Sequence, residues 1–248
     1  MAAGVTAVPA GFIAGMRHVS QGFALIRAPG VRVFVIIPLL INIALFALAL
    51  FGVSRGLDYA IETYLASWPA WIQWLIWMLF ALLSAIVVFF TFSVAANIVA
   101  SPFNGLLADA VEQHLRGRAV SVQWTLRELA AEFARTLLGE LRKLLYIGWR
   151  ALPLLVLSFI PGLNLAAPPL WLLFGAWMLC LEYLDCPLGN HGQVFPRVLD
   201  EMRQRRRLAL GFGFAMTLVT IVPLLNFLAV PVGVAGATRL YCTHVAPR

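Results

Sequence analysis

Charged side chains are scarce in this chain. Asp, Glu, Lys and Arg make up 12% of its 248 residues, and 62% of the residues are hydrophobic. In an ordinary soluble domain about 25% of the residues are charged and about 45–50% are apolar. Because a soluble fold of this size cannot hide so much apolar surface, the composition predicts an all-α integral membrane protein. No long polar stretch divides it, so a single membrane domain over residues 1–248 is the simplest organisation.

Lysine occurs once and cysteine three times, whereas arginine occurs 17 times. The three cysteines show no CxxC spacing, so neither a disulfide framework nor a metal site is predicted. The net charge is +7, but the basic residues lie between apolar segments. That distribution is typical of the positive-inside rule and disfavours nucleic acid as a partner. No Walker A, G-x-S-x-G or H-E-x-x-H motif occurs, so no enzyme activity or cofactor is predicted.

Two uninterrupted uncharged runs in the first half of the chain are long enough to cross a bilayer, which requires about 20 residues of helix. The first span is predicted at residues 33–54 and the second at 71–100, where tryptophans crowd the start as in an interfacial belt. Residues 101–150 are predicted to form helices outside the hydrocarbon core. From Thr125 onward leucines recur at helical spacing among basic residues, which indicates an amphipathic helix. Packing of this helix in the cytoplasm is slightly favoured over a position on the lipid surface.

Two later apolar stretches, 151–181 and 208–238, resemble each other. Each lacks charge over 31 residues and contains the pattern P-x-L-N-x4-P, which begins at Pro161 and again at Pro223. Proline in mid-segment interrupts a helix. The resulting limbs of 10–17 residues reach about 15–25 Å, less than the roughly 30 Å hydrocarbon core. Each stretch is therefore interpreted as a re-entrant hairpin, with one kinked full span as the alternative.

The distribution of basic residues favours the hairpins. With two full spans and two hairpins, 17 of the 18 basic residues lie on one side, and only Arg55 lies opposite. Kinked full spans would place the basic loop 182–207 outside, against the positive-inside rule. Both termini are therefore predicted to be cytoplasmic.

The hairpin tips are one candidate for the chemistry. Non-helical backbone at membrane depth must be buried or line a watery cavity. Asn164 and Asn226 are expected to cap the second limb of each hairpin, so that the positive helix end points into the membrane and favours an anion. Simple helix capping with no bound ligand explains the same residues equally well.

The turn before the first span is a second candidate. Gly30 permits close backbone approach, and the first N–H groups of the span lack intrahelical partners. With Arg32 beside them and Arg27 five residues earlier, these groups suit a sulfate- or phosphate-like ion. From spacing alone, a juxtamembrane arginine that obeys the positive-inside rule is the better account of Arg32.

Several short runs of residues occur in the same order along this chain as in a known family, and the resemblance covers nearly its whole length. The chain resembles the CysZ family of bacterial sulfate permeases in residues 29–36, 100–108, 159–164, 174–179 with 185–191, and 223–226.

The resemblance implies a sulfate permease of the bacterial inner membrane that supplies sulfate for cysteine biosynthesis. It implies two long membrane helices, two partly penetrating hairpins, a homo-oligomer of two or more chains in the lipid bilayer, and sulfite as a competitor. Carried over by position, its sulfate site falls on Gly30, Val31 and Arg32. A second arginine of the family's pair is Val33 here, so Arg27 or another residue is expected to compensate. Asn104, Asn164 and Asn226 are the expected residues of the ion path.

Two alternatives are weaker. A non-transporting scaffold or regulator of a sulfate importer fits the same sequence. A membrane enzyme acting on lipid requires clustered acids and histidines at one interface, and only Asp185 and the pair Asn190-His191 come close. These three residues are interpreted as part of a solvated loop.

Overall fold

A computed structural model describes residues 11–65, 68–119, 126–193 and 195–246, and the regular elements in these ranges are helical. The helices are α1 Phe12–Leu25, α2 Val33–Ala60, α3 Ala70–Leu115, α4 Leu126–Phe159, α5 Ala167–Asn190, α6 Phe195–Gln204, α7 Arg206–Ile221, α8 Pro223–Asn226 and α9 Ala229–Leu240. Two π-helical turns, Ile61–Leu65 and Tyr241–Val245, and a 3₁₀ turn, Leu163–Ala166, complete the description. The prediction of an all-α chain is confirmed for these residues.

The chain forms two compact units. The smaller unit covers residues 36–101, and the larger covers residues 1–35 together with 102–248. In the smaller unit, α2 and the start of α3 expose leucine, isoleucine, phenylalanine and tryptophan side chains along their length. Within Val33–Tyr64, an 18-residue window has a mean hydropathy of 2.8, and none of that window is buried. By length and composition it can cross a membrane, as can Leu163–Asn190 in the larger unit.

Two helices are longer than the sequence predicts. Helix α3 runs from Ala70 to Leu115, through the boundary expected between residues 100 and 101. Helix α4 runs from Leu126 to Phe159, so the amphipathic segment and the first limb of hairpin 151–181 form one helix, with Pro153 inside it. The predicted helix start at Thr125 lies outside the described residues. The residues on both sides of each expected boundary favour helix. A change of the surroundings from water to lipid does not by itself end a helix.

Helices α1, α5, α7 and α9 pack into the core of the larger unit through glycines. On α7, Gly211 lies against the backbone of Phe12 in α1, and Gly213 lies against the Ala176 carbonyl in α5. On α1, Gly22 approaches the backbone of Val232 in α9. A Cβ atom at any of these glycines would overlap the facing backbone. The small residues therefore let the helix axes come close, as they do between helices in membranes.

The first hairpin is an antiparallel pair of α4 and α5. Near the turn, Trp171 Nε1 donates to Ser158 Oγ at 3.1 Å. Further from the turn, Lys143 Nζ lies 3.0 Å from both Glu182 Oε2 and Asp185 Oδ2. The prediction of short limbs is wrong for this hairpin, because α5 has 24 residues and extends about 36 Å.

The second hairpin has the predicted proportions. Helix α7 has 16 residues and α9 has 12, which correspond to about 24 Å and about 18 Å. The four-residue helix α8 lies between them and forms the tip. Both limbs are shorter than the roughly 30 Å hydrocarbon core.

His18 makes the stability of the core depend on pH. This side chain on α1 lies outside the predicted membrane segments, is 4% exposed, and contacts His244 edge to face at 5.3 Å. Burial, His244 and Arg239 lower the pKa of His18 from 6.5 to about 4. The unfolded chain therefore binds more protons in this window, and stability is lost as pH falls from about 6.5 to about 4. The loss for His18 alone is about 3 kcal/mol.

Thermal unfolding in detergent at the two ends of this window measures the effect. The variant His18→Leu is expected to show a clearly smaller difference between the two pH values. Part of the difference remains, because burial and Arg205 also lower the pKa of His244. An unchanged difference in the variant contradicts the assignment to His18.

Candidate functional site

The loop between α1 and α2 is a tight turn anchored by a buried valine. Gly30 has φ 84°, a left-handed conformation that glycine adopts without strain. Val31 follows it with a fully buried side chain, at 0% exposure. The turn therefore fixes the backbone of residues 29–32 on the core and leaves Gly30 and Arg32 exposed.

The backbone N–H groups of this loop are only partly available. Those of Val31 and Arg32 both donate to the carbonyl of Ala28, at 3.1 and 3.2 Å. Those of Phe34 and Val35 donate to the carbonyls of Val31 and Arg32. In the described part of the chain, the N–H groups of Gly30 and Val33 have no backbone acceptor. An anion at this loop would therefore meet the amides of Gly30 and Val33, and not those of Val31 and Arg32.

The two arginines of the loop are both exposed. Arg27 follows the end of α1, and Arg32 directly precedes α2. Neither takes part in an ion pair within the described residues. Two guanidinium groups without carboxylate partners and two donor amides lie within one short loop, which is suitable for an oxyanion. Val33, where the resemblance implies a second arginine, contributes an amide but no charge.

The asparagines at the hairpin tips occupy equivalent positions. The N–H group of Asn164 donates to the Ile160 carbonyl at 3.0 Å, and that of Asn226 donates to the Val222 carbonyl at 2.9 Å. Both side chains are exposed. The prediction that they cap the second limbs is wrong. The residues preceding α5 and α9 are Ala166 and Leu228, and neither helix has a side-chain cap.

A polar cluster that the sequence analysis missed joins α3 to the end of α5. Asn190 Nδ2 donates to the Gly105 carbonyl at 2.8 Å. His191 Nε2 lies 2.8 Å from Glu112 Oε2, and Arg116 holds the other oxygen of the same carboxylate. The interpretation of Asp185, Asn190 and His191 as a solvated loop is therefore wrong. Asp185 and Asn190 lie in α5, and each of the three side chains has a partner. The spacing of Glu112 and Arg116 by four residues predicts their ion pair on one helix. No pattern in the sequence predicts the contact of Glu112 with His191, which lies 79 positions further along the chain.

This cluster borders a cavity of about 480 Å³. Its lining is Asp109, Glu112, Gln113, Arg116, Arg118, Ala119, Asn190 and His191. In this lining Arg116 forms an ion pair with Glu112, and the neutral amide of Gln113 donates to Asp109. Tyr241 stacks on His191 at 5.1 Å, and burial together with the charge of Glu112 raises the pKa of its hydroxyl.

The predicted site residues lie in three separate parts of the fold: the loop before α2, the hairpin tips and helix α3. Arg27, Gly30, Val31 and Arg32 lie in the loop, whereas Asn164 and Asn226 lie at two hairpin tips. Asn104 is half-buried on α3, next to the glycine that accepts from Asn190. No hydrogen bond joins these three places within the described ranges. Only the loop combines exposed positive charge with donor amides, so it is the better candidate for anion capture.

Comparison with known proteins gives consistent matches over most of the chain. The family model described as "Sulfate transporter CysZ/Etoposide-induced protein 2.4" matches residues 18–231. A protein named "Sulfate transporter CysZ" from Pseudomonas aeruginosa is 42% identical over 239 residues, which cover 95% of this chain and 97% of the relative. Proteins of the same name from Pseudomonas fluorescens strain SBW25 and Vibrio cholerae are 44% and 39% identical and cover 94% and 92% of this chain, and 93% and 92% of their own lengths.

Proposed function

Because this chain belongs to the CysZ family of sulfate transporters, we propose that it moves sulfate across the bacterial inner membrane into the cytoplasm, where sulfate supplies cysteine biosynthesis. The observation that carries this proposal is the match to transporters over 92–95% of the chain. Exposed apolar helices long enough to cross a bilayer support the membrane location. The activity is transport and not catalysis.

The loop before α2 is the proposed entry site for sulfate. Sulfate is a dianion with four acceptor oxygens, and its transfer into hydrocarbon without partners is prohibitively costly. The N–H groups of Gly30 and Val33 and the guanidinium of Arg32 replace part of its hydration, with Arg27 as the second charge. Val31 positions the turn through its buried side chain. The two arginines are five residues apart and not adjacent as in a paired-arginine site, which keeps binding weak enough for release.

The two hairpin tips are the proposed membrane-embedded part of the path. Both tips expose large apolar side chains, with Leu224 at 81% and Phe227 at 78% in the second. Such exposure is unfavourable in water and favourable in lipid. The proposed arrangement therefore has two full spans, two re-entrant hairpins and cytoplasmic termini. Asn104, Asn164 and Asn226 provide polar contacts along the way, sulfite competes with sulfate, and two or more copies assemble in the bilayer.

Uptake of labelled sulfate into proteoliposomes that contain only this protein tests the proposal. Arg32→Ala removes a charge-assisted contact worth about 1.5–3 kcal/mol, so a loss of about 10- to 100-fold in apparent sulfate affinity is expected. Arg55→Ala, in the C-terminal part of α2, is the matched control and should transport normally. Saturable uptake that sulfite inhibits supports the permease.

Two other outcomes are informative. Uptake that survives Arg32→Ala leaves the permease intact and moves the anion site towards the hairpin tips. Folded protein that gives no uptake above empty liposomes contradicts transport and favours a scaffold or regulator of another importer.

A further inference from the structure

Helices α6 and α7 meet at a strongly basic corner. On α6, Val198, Leu199 and Met202 are buried, and the opposite face carries exposed polar residues. The helix ends at Gln204, and α7 begins at Arg206. Three consecutive arginines, residues 205–207, therefore occupy the corner itself. We define these three with Arg197 and Arg203 as the arginine corner.

Three members of the arginine corner have carboxylate partners. Arg205 and Arg197 both bind Glu201, and Arg203 lies 3.5 Å from Asp200. The other two are exposed and have no carboxylate partner among the residues that the structure describes. Of these, Arg206 donates from Nε to the Arg203 carbonyl at 3.2 Å, which leaves its terminal nitrogens available. Two adjacent positive charges thus face outward without compensation.

The length of α7 sets the depth of this corner in the membrane. Arg206 and Ile221 are the ends of a 16-residue helix, so the corner lies about 24 Å from the apolar tip of the second hairpin. If that tip enters the hydrocarbon core, as the proposed function requires, the corner reaches the level of the lipid headgroups on the same side. Ile221 is 67% exposed, which agrees with a tip surrounded by lipid.

We propose that Arg206 and Arg207 bind the phosphodiester headgroup of an anionic phospholipid. A guanidinium group donates two parallel hydrogen bonds to a phosphate. A zwitterionic headgroup offers the same phosphate, but its positive group weakens the net attraction to arginine. A lipid also covers the partly exposed side chains of Leu210 and Phe214, one and two turns along α7 from Arg206, which a free inorganic anion cannot do. The lipid anchors the base of the second hairpin, so that insertion of the tip is coupled to the charge of the surrounding bilayer.

Lipid retention measured by native mass spectrometry tests this proposal. The full-length protein is released from vesicles of equal phosphatidylglycerol and phosphatidylcholine, and the bound lipids are counted. Each basic residue near an anionic surface contributes about a fivefold preference, so Arg206→Gln with Arg207→Gln should lower the preference for phosphatidylglycerol about 25-fold. Arg197→Gln is the matched control. It removes one positive charge from the same corner, as Arg207→Gln alone does, while Glu201 keeps its bond to Arg205, so the preference should change little.

Several results would overturn the inference. One is an unchanged preference in the double variant, and another is an equal loss in Arg197→Gln, which indicates an unspecific effect of charge. Displacement of phosphatidylglycerol by millimolar sulfate would identify a site for free anions instead. The single variant Arg207→Gln repeats the test if the double variant folds poorly. The assay needs no sulfate flux, so its outcome is separate from that of the uptake experiment.

Discussion

Replacing Gly213 with alanine is expected to lower the stability of the detergent-solubilised protein by about 2–3 kcal/mol. The added Cβ would overlap the carbonyl oxygen and carbon of Ala176, and both belong to the backbone of α5. Backbone atoms in a helix cannot move aside as the end of a side chain can. Helices α5 and α7 must therefore separate, and the loss of contacts extends along their interface. A lower unfolding temperature, followed by circular dichroism or by size-exclusion chromatography after heating, measures this effect.

Gly175→Ala is the matched control for this prediction. It makes the same substitution one residue away from Ala176 on α5, where a Cβ meets no atom within 4 Å. Because alanine favours helix over glycine by up to about 1 kcal/mol, this variant should be as stable as the native protein or more so. Equal destabilisation by the two variants contradicts the packing argument. In both variants the change from glycine to alanine raises helix propensity, so propensity cannot explain a loss of stability.

Lys143→Met is expected to destabilise the first hairpin by about 2–3 kcal/mol. The ammonium group bridges Glu182 and Asp185 at 3.0 Å each, and its side chain is 4% exposed. Breaking a fully buried ion pair from one side costs about 3–5 kcal/mol. Here Glu182 is 56% exposed, so water screens part of that loss and the smaller value applies. Two neighbouring carboxylates then face each other without a cation between them.

Two further variants separate this mechanism from simple loss of packing. Lys143→Arg keeps the positive charge and should retain most of the stability. Adding Glu182→Gln and Asp185→Asn to Lys143→Met removes the unpaired carboxylates, so the triple variant should recover part of the loss. Thermal unfolding of all four proteins in the same detergent measures the differences. A triple variant less stable than Lys143→Met would mean that the carboxylates have other partners.

The elements of this fold are largely predictable, because apolar stretches and prolines determine them locally. The repeated P-x-L-N-x4-P pattern marks both hairpin turns, at Asn164 and Asn226. The ends of the helices are less predictable. Helix α4 passes from an amphipathic to an apolar sequence without a break, since both halves favour helix. The packing partners are not predictable at all, because the contact between Gly213 and Ala176 depends on residues 37 positions apart.

The candidate site shows the same division between local and distant features. The turn at Gly30 is readable from its sequence, because a glycine before an arginine and an apolar helix is a local signal. The sequence does not reveal which amides of this turn remain free. The Ala28 carbonyl accepts from both Val31 and Arg32, and residue spacing does not predict this geometry. The link between His191 and Glu112 joins α5 to α3, and no local pattern in either helix indicates the other.

The burial of Lys143 has a practical consequence for labelling. It is the only lysine of the chain, and its ammonium group is enclosed by two carboxylates. Amine-reactive dyes attack the neutral amine, so they should leave this side chain unmodified while the hairpin is closed. Unfolding exposes one nucleophilic amine at a known position. The rate of dye incorporation at Lys143, measured by peptide mapping, therefore reports how often the first hairpin opens in native membranes. No cysteine has to be introduced for this measurement.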